Sequence, residues 1–177
     1  MSETPTIYLG CDGFGQDLLN SIKEHLETKG IIVHDLGCDT YFDSAAKVAK
    51  QVAYKDPKYT MGILFCGTGM GVGIVANKFG GVRAATCENV TAAQCARAVN
   101  NANILCLGQL VTKPDIAKSI VDEFMKQDFI NCPCCGEGGQ PATWWSDGVE
   151  SFLATSMEGI DRVEKESFSD YEKNKKR

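Results

Sequence analysis

Residues 66–73 read Cys-Gly-Thr-Gly-Met-Gly-Val-Gly and directly follow the apolar run Gly62 to Phe65. A short apolar run of this kind is typical of a buried strand. The alternating glycines allow a tight turn and let a ligand approach the backbone N–H groups. A helix predicted from Val72 to Lys78 directs its unpaired N–H groups toward the same turn. The stretch therefore predicts a strand, a turn and a helix that form an anion-binding loop, suited to a phosphate or an oxyanion.

Similar strand and helix patterns lie on both sides of this loop. The strands are predicted at Ile7 to Gly10, Ile31 to Asp35, Gly62 to Phe65, Val82 to Thr86 and Ile104 to Leu107. The helices are predicted at Gln16 to Lys29, Ala45 to Lys55, Val72 to Lys78, Thr91 to Asn100 and Pro114 to Lys126. Strands that alternate with helices predict the α/β class, here a five-stranded parallel sheet covered by helices on both faces.

The rest of the chain fits one domain. We expect a single domain over residues 1–170, with a helix from Ser146 to about Glu166 and a mobile tail at 171–177. The turn-rich segment between the sheet and this last helix contains Cys132, Cys134 and Cys135. Tetrahedral zinc needs four ligands, and the sequence shows no second cysteine or histidine cluster, so we do not expect a zinc site in this segment.

Composition excludes several classes of function. The net charge of −5 provides no basic field for nucleic acid or for an anionic membrane. The sequence contains no signal peptide and no run long enough to span a membrane, so we expect a cytoplasmic protein. The nine cysteines are odd in number, which favours reduced thiols over a disulfide framework.

Candidate chemistry gathers where predicted strands end, because ligands of open parallel sheets bind at the carboxyl ends of strands. The first strand ends at Asp12 and Gly13, and the third ends at Cys66. A thiolate at Cys66 could serve as a nucleophile or as a general base. The two histidines, His25 and His34, lie within a predicted helix and a predicted strand, which disfavours a cysteine–histidine hydrolase.

Several motifs together resemble the ribose-5-phosphate isomerase B family (RpiB/LacAB). The resemblance covers about Thr6 to Lys126, and its most specific part is the 66–73 stretch followed by Ala-Asn-Lys. The matching segments are Gly10-Cys11-Asp12, Cys66 to Gly73, Ala76-Asn77-Lys78, Gly81 to Ala84 and Asn100 to Asn103. The resemblance implies a three-layer α/β/α sandwich of Rossmann-like RpiB topology. It also implies cofactor-free interconversion of aldose and ketose phosphates through a cis-enediolate, at a site on a dimer interface.

The resemblance also implies roles for individual residues. Cys66 matches the family's base, and Thr68 with the following backbone amides would hold the enediolate oxygen. Asp12 matches the acidic residue near the substrate hydroxyls. The remaining substrate-binding candidates are Gly13, Tyr41, Gly67, Gly69, Met70, Gly71, Val72, Gly73, Asn77 and Asn100. We expect a homodimer, or a tetramer, that binds a phosphorylated sugar, with the helix around Phe152 to Arg162 crossing to the partner subunit.

Some family positions differ here. Gly13 and Val99 stand where family members usually have histidine, and the usual C-terminal arginines are absent. The same differences occur in an RpiB-like subgroup that plants carry fused to a cupin domain. Three interpretations stay open: an aldose–ketose isomerase, a non-catalytic sugar-phosphate-binding or regulatory protein, and an enzyme for another enediolate reaction such as epimerisation.

Overall fold

Strands and helices alternate along the chain, as the sequence predicts. The structure is a computed structural model that describes residues 5–133 and 140–175. The elements are β1 (Thr6–Cys11), α1 (Gln16–Thr28), β2 (Val33–Cys38), α2 (Tyr41–Val52), β3 (Thr60–Cys66), α3 (Met70–Ala76), β4 (Ala84–Thr86), α4 (Val90–Ala98), β5 (Ile104–Gly108), α5 (Pro114–Lys126) and α6 (Asp147–Lys175).

The strands form one parallel five-stranded sheet with the order β2-β1-β3-β5-β4. This confirms the predicted α/β fold. We call the side where β1, β3, β4 and β5 end the carboxyl edge, and the side where they begin the amino edge. At the carboxyl edge, Cys11 pairs with Phe65, and Cys66 pairs with Gly108. The ends of β1, β3 and β5 are therefore adjacent.

Alternate side chains of β3 enter two separate cores. Ile63 and Phe65 pack with α1, α4 and α5 on one face of the sheet. Leu64 and Cys66 pack with α2 and α3 on the other face. This alternation follows from the period of two residues in a strand, and it assigns Cys66 to the α2–α3 layer.

Most elements differ from their predicted bounds by a few residues, and in three of them a local contact explains the difference. β2 continues to Cys38, because Gly37 adopts a positive φ of 86° and the strand keeps its pairing through a bulge. α2 begins at Tyr41 because the Thr40 side chain caps it by accepting a hydrogen bond from the Asp43 amide. β4 begins only at Ala84, because the Arg83 amide donates to the side chain of Asn103.

The last helix, α6, is 29 residues long, or about 44 Å at the usual rise per residue. It ends at Lys175 and so extends beyond the predicted end near Glu166. It contacts the amino edge where the Gly81 amide donates to the Glu164 carboxylate at 2.6 Å. Several apolar side chains of α6 remain exposed, among them Phe152, Val163 and Phe168. Among the described helices, none combines the length and the apolar character that a membrane crossing requires.

Candidate active site

Cys66 ends β3 under tight backbone packing. A Cβ added to Gly15 would lie 2.6 Å from the carbonyl carbon of Phe65, and one added to Gly108 would lie 2.4 Å from that of Thr68. Glycines at these two positions let the segments after β1 and at the end of β5 close around the end of β3. Cys66 itself is 5% exposed and packs among the buried side chains between the sheet and α2 and α3.

The 66–73 loop directs one of its amides, that of Gly69, at the Cys66 thiol. Gly69 has a left-handed conformation with φ of 78°, and its amide donates to the Cys66 Sγ at 3.1 Å. The Met70 amide donates to the Thr68 Oγ1 at 3.3 Å, which leaves the Thr68 hydroxyl proton free to donate elsewhere. In the described parts of the chain, the amides of Gly71 and Val72 have no acceptor. One sulfur, one N–H group directed at it and two N–H groups without an acceptor thus share a single turn.

The end of β4 contacts the 66–73 loop and holds it in place. The Thr86 hydroxyl donates to the Gly69 carbonyl at 3.2 Å, and a Cβ on Gly73 would lie 3.1 Å from the Thr86 Oγ1. Thr86 is not among the site residues predicted from the sequence, although its place at the end of a predicted strand is a signal that could have found it. Burial raises the pKa of the neighbouring Cys106 thiol, so this second sulfur near the loop stays protonated.

The end of β1 contributes Asp12 beside the loop. The Asp12 amide donates to the Phe65 carbonyl at 3.2 Å, and its carboxylate accepts from the Phe14 amide at 2.9 Å. Gly13 faces open space, because a Cβ there would have no neighbour within 4 Å. The exposed side chains of Phe14 and Leu110 both flank Gly67, and neither was selected from the sequence.

Tyr41 reaches the loop from the start of α2. A Cβ on Gly71 would lie 3.2 Å from the Tyr41 Cδ2, so the aromatic ring covers this glycine. Tyr41 is 44% exposed, so part of its side chain stays accessible to a ligand. The structure thus brings Tyr41, Asp12, Gly13 and the whole 66–73 loop together at the carboxyl edge.

Asn77 and Asn100 lie elsewhere. Asn77 follows α3, and its side-chain amide both donates to the Ala84 carbonyl and accepts from the Ala84 amide, at 2.9 and 2.8 Å. Asn100 is exposed and precedes β5, so the length of that strand, about 16 Å, separates it from the end of the sheet that carries Cys66. Within one chain, neither residue joins the 66–73 loop.

The basic residues that could bind a phosphate also lie away from the loop. Arg97 is 3% exposed and donates from its Nη1 to Asn101 and Ala102, while its Nε has no partner among the described residues. Burial, more than the nearby charges, lowers the pKa of Arg97 to about 10. Two cavities lie between α6 and the amino edge. Lys78 lines the larger one, of about 900 Å³. Arg162 lines the smaller one, of about 590 Å³, together with Val99 and Asn100.

The segment around Cys132 is the part of the chain for which the sequence predicts no zinc site. Cys134 and Cys135 lie outside the described residues. Within residues 5–133 and 140–175, no three histidine, cysteine or acidic side chains cluster as metal ligands.

Comparison with known proteins identifies relatives of this chain. Residues 7–132 match the family described as Ribose/Galactose Isomerase. The D-erythrulose-4-phosphate isomerase of Pectobacterium atrosepticum is 42% identical over 130 residues, which cover 70% of this chain and 84% of that protein. The structure of ribose-5-phosphate isomerase B from Mycoplasma genitalium with bound ribulose-5-phosphate has a TM-score of 0.70 and 33% identity, covering 93% of this chain and 99% of that one.

A plant relative matches nearly the whole chain. The DNA damage-repair/toleration protein DRT102 of Arabidopsis thaliana is 36% identical over 164 residues, which cover 93% of this chain. The match covers 52% of that protein, so the chain spans about half the length of this relative.

Proposed function

The chain belongs to the ribose/galactose isomerase family, and from that premise we propose that it is a cofactor-independent aldose–ketose isomerase of a phosphorylated sugar, with Cys66 as the base. One observation carries the proposal most directly. The Cys66 Sγ lies 3.1 Å from the Gly69 amide in a loop whose next amides, at Gly71 and Val72, have no acceptor among the described residues. A base and donors for a developing oxyanion are the two requirements for removing a proton beside a carbonyl.

The reaction follows from this arrangement. The Cys66 thiolate removes the C2 proton of the open-chain aldose, and the electron pair forms a C1–C2 double bond while the carbonyl oxygen becomes negative. The loop amides and the Thr68 hydroxyl donate to that oxygen, and Asp12 accepts a hydrogen bond from a substrate hydroxyl. A proton passes from the C2 oxygen to the C1 oxygen, and Cys66 returns its proton to C1, which yields the ketose. A positioned base contributes about 10²–10⁴-fold, and each oxyanion donor about 10²–10³-fold.

Relatives support the substrate class. The Pectobacterium atrosepticum protein is described as acting on a tetrulose phosphate, and the Mycoplasma genitalium enzyme binds ribulose-5-phosphate. We therefore place the substrate among four- and five-carbon sugar phosphates, of the ribose-5-phosphate and ribulose-5-phosphate type. The exposed ring of Tyr41 and the apolar side chains of Phe14 and Leu110 would border the bound sugar.

A homodimer would complete this site. Asn100 lies too far from Cys66 of its own chain, but it is exposed and lines the same cavity as Arg162. In a dimer held together across α6, these two residues would reach the 66–73 loop of the partner, where Arg162 supplies the positive charge for the phosphate. The exposed Phe152 and Val163 on α6 would then be covered by the partner subunit.

Proton exchange in heavy water tests the proposal. The protein is incubated in D₂O with ribose-5-phosphate and, separately, with erythrose-4-phosphate, and both exchange and products are followed by NMR. We expect deuterium at C2 of the aldose and formation of the ketose, and a fall of about 10²–10⁴-fold in Cys66→Ala. Cys38→Ser, which changes an exposed thiol outside the site, serves as the matched control and should exchange at the normal rate.

A second function, a non-catalytic sugar-phosphate-binding protein, is favoured by one observation. Gly13 leaves open space where the family usually has histidine, and the basic candidates of the same chain lie away from the loop. Tight binding of a sugar phosphate without exchange at C2 would establish this function instead. Exchange that yields the C2 epimer without ketose would establish an epimerase.

A further inference from the structure

Cys11 and Cys38 face each other at the ends of β1 and β2. The two strands are in register through Leu9 and Asp35, after which the pairing shifts so that Cys11 is opposite Cys38. Without the shift, Gly37 would oppose Cys11, and Cys38 would point to the other face of the sheet. The positive φ of 86° at Gly37 accommodates the bulge. The bulge therefore places two cysteine side chains on the same face of adjacent strands.

The spacing of this pair suits a disulfide. Adjacent strands are about 4.8 Å apart, and disulfides join residues whose Cα atoms lie about 4.4–6.8 Å apart. The backbone around the pair is held in place, since the Cys11 carbonyl accepts from the Asp39 amide at 3.0 Å and from the Ser44 hydroxyl at 2.6 Å. Closing the bond therefore requires rotation of the side chains rather than movement of the strands.

The two thiols differ in environment. Cys11 is fully buried, and its Sγ lies 3.6 Å from the Gln16 Oε1, whereas Cys38 is exposed. Burial, and next a hydrogen bond with the Cys38 thiol, raise the pKa of Cys11 to about 12. Cys38 is therefore the thiol that an oxidant in solution meets, and Cys11 is the resolving thiol held behind it.

We propose that Cys11 and Cys38 are a thiol pair that peroxide oxidises to a reversible disulfide beside the 66–73 loop. Cys38 reduces hydrogen peroxide and becomes a sulfenic acid, with release of one water. The Cys11 sulfur then attacks the Cys38 sulfur, the S–O bond breaks, and a second water leaves. Overall, two thiols and one peroxide give one disulfide and two waters. A thiol such as glutathione reverses the reaction by two exchange steps, which release oxidised glutathione.

A disulfide at this position would act on the candidate site through two residues that lie close to the cysteines in the chain. Asp12 directly follows Cys11, and Tyr41 lies three residues after Cys38. Both residues are candidates for binding the substrate at the carboxyl edge. A disulfide would thus fix the spacing between the Asp12 and Tyr41 segments, which hydrogen bonds join in the reduced chain.

Stoichiometric oxidation tests the proposal. The reduced protein is treated with one equivalent of hydrogen peroxide, quenched with an alkylating agent and digested without reductant. We expect a cross-linked pair of peptides that contain Cys11 and Cys38, the loss of two alkylated thiols per chain, and full reversal by glutathione. We also expect the Tm of the oxidised protein to rise by about 5 °C or more, because the bond constrains the unfolded chain.

Matched variants make the test decisive. Cys38→Ser should abolish the cross-link while its circular dichroism spectrum stays unchanged, and Cys95→Ser on α4 should leave the cross-link intact. The proposal is overturned if Cys38 becomes sulfinic acid or an adduct while Cys11 remains free. Cross-links that form first between other cysteines, with Cys11 and Cys38 still alkylated, would overturn it equally.

Discussion

The two edges of the sheet use polar groups in opposite ways. At the amino edge, the Asn103 side chain accepts from the Arg83 amide and donates to the Gly81 carbonyl, at 2.7 and 2.8 Å. The Asn77 side chain similarly donates to the Ala84 carbonyl and accepts from the Ala84 amide. At the carboxyl edge, the amides of Gly71 and Val72 have no acceptor among the described residues. Polar side chains thus complete the fold at one edge, while backbone groups stay available to a ligand at the other.

This difference separates stability from activity. Replacing a side chain that completes the hydrogen bonds of the amino edge, such as Asn103, should destabilise the protein without altering the chemistry of the molecules that remain folded. A substitution at the carboxyl edge should have the reverse effect, except where the backbone itself is packed. Three experiments test this separation, and a fourth measures the ion pairs that join α5 to the end of α1.

The largest effect is expected from Gly69→Ala. The positive φ of 78° disfavours alanine, and the new Cβ would lie 3.0 Å from the Leu107 carbonyl carbon, so the Gly69 amide should move away from the Cys66 Sγ. We expect C2 exchange to fall by about 10²–10³-fold. The matched control is Gly30→Ala, which has a similar φ of 72° but no neighbour within 4 Å of the new Cβ. It should lose similar conformational stability, about 1–2 kcal/mol, and keep its exchange rate.

Asn103→Leu should have the largest effect on stability. Asn103 is fully buried, and leucine would leave the Arg83 amide and the Gly81 carbonyl without partners. We expect the free energy of unfolding, measured by urea denaturation, to fall by about 2–4 kcal/mol. The exchange rate per folded molecule should not change. A variant that stayed as stable as Asn131→Leu, which changes an exposed asparagine, would refute the structural role of this edge.

Gly15→Ala tests a position at which stability and exchange rate should both change. The added Cβ would lie 2.6 Å from the Phe65 carbonyl carbon and 2.8 Å from the Cys66 amide nitrogen. We expect a loss of about 1–3 kcal/mol in unfolding free energy together with slower exchange, because the end of β3 must shift. Gly13→Ala, two residues away and facing open space, should change stability by less than about 0.5 kcal/mol. Equal stability of the two variants would contradict the packing described here.

The smallest effect is expected from Asp122→Asn, on the way Tm declines as the pH falls. Asp122 accepts from Lys29 at 2.6 Å and from His25 at 2.8 Å. Partial burial raises the pKa of Asp122, but hydrogen bonds from Lys29 and His25 outweigh it and lower the pKa below its ordinary value. The ion pairs therefore stabilise the fold above about pH 4 and lose this contribution as the pH falls through the lowered pKa. Asp122→Asn should show a shallower decline of Tm between pH 5 and pH 2.5, measured by thermal denaturation, than Glu24→Gln.

Sequence reasoning predicts the sheet well because short apolar runs report directly on buried strands. It fails where one residue changes the local hydrogen bonds. The Gly37 bulge extends β2 to Cys38, and the Thr40 cap starts α2 at Tyr41, four residues before the apolar spacing suggests. These are contacts between residues that no periodicity records.

Only part of the candidate site is predictable from the sequence, again because contacts between distant residues leave no pattern in it. The 66–73 loop and Asp12 follow strands, so topology alone brings them together. Tyr41 is a candidate only through the family resemblance, and its contact with Gly71 is not predicted, since nothing in the spacing connects these residues. Asn77 was assigned to the substrate from its motif, yet in the structure both of its polar atoms bond Ala84. A polar residue in a motif does not reveal whether it serves the fold or the ligand.

The hydrogen bond from Gly69 to the Cys66 sulfur has a practical consequence. An amide proton that points at a thiol changes its magnetic environment when that thiol ionises, so the Gly69 resonance is a built-in reporter. Following this single peak in ¹⁵N-labelled protein through a titration would count protons on the sulfur without any substrate. The same peak would also show, at each addition of a sugar phosphate, whether the ligand has reached the loop.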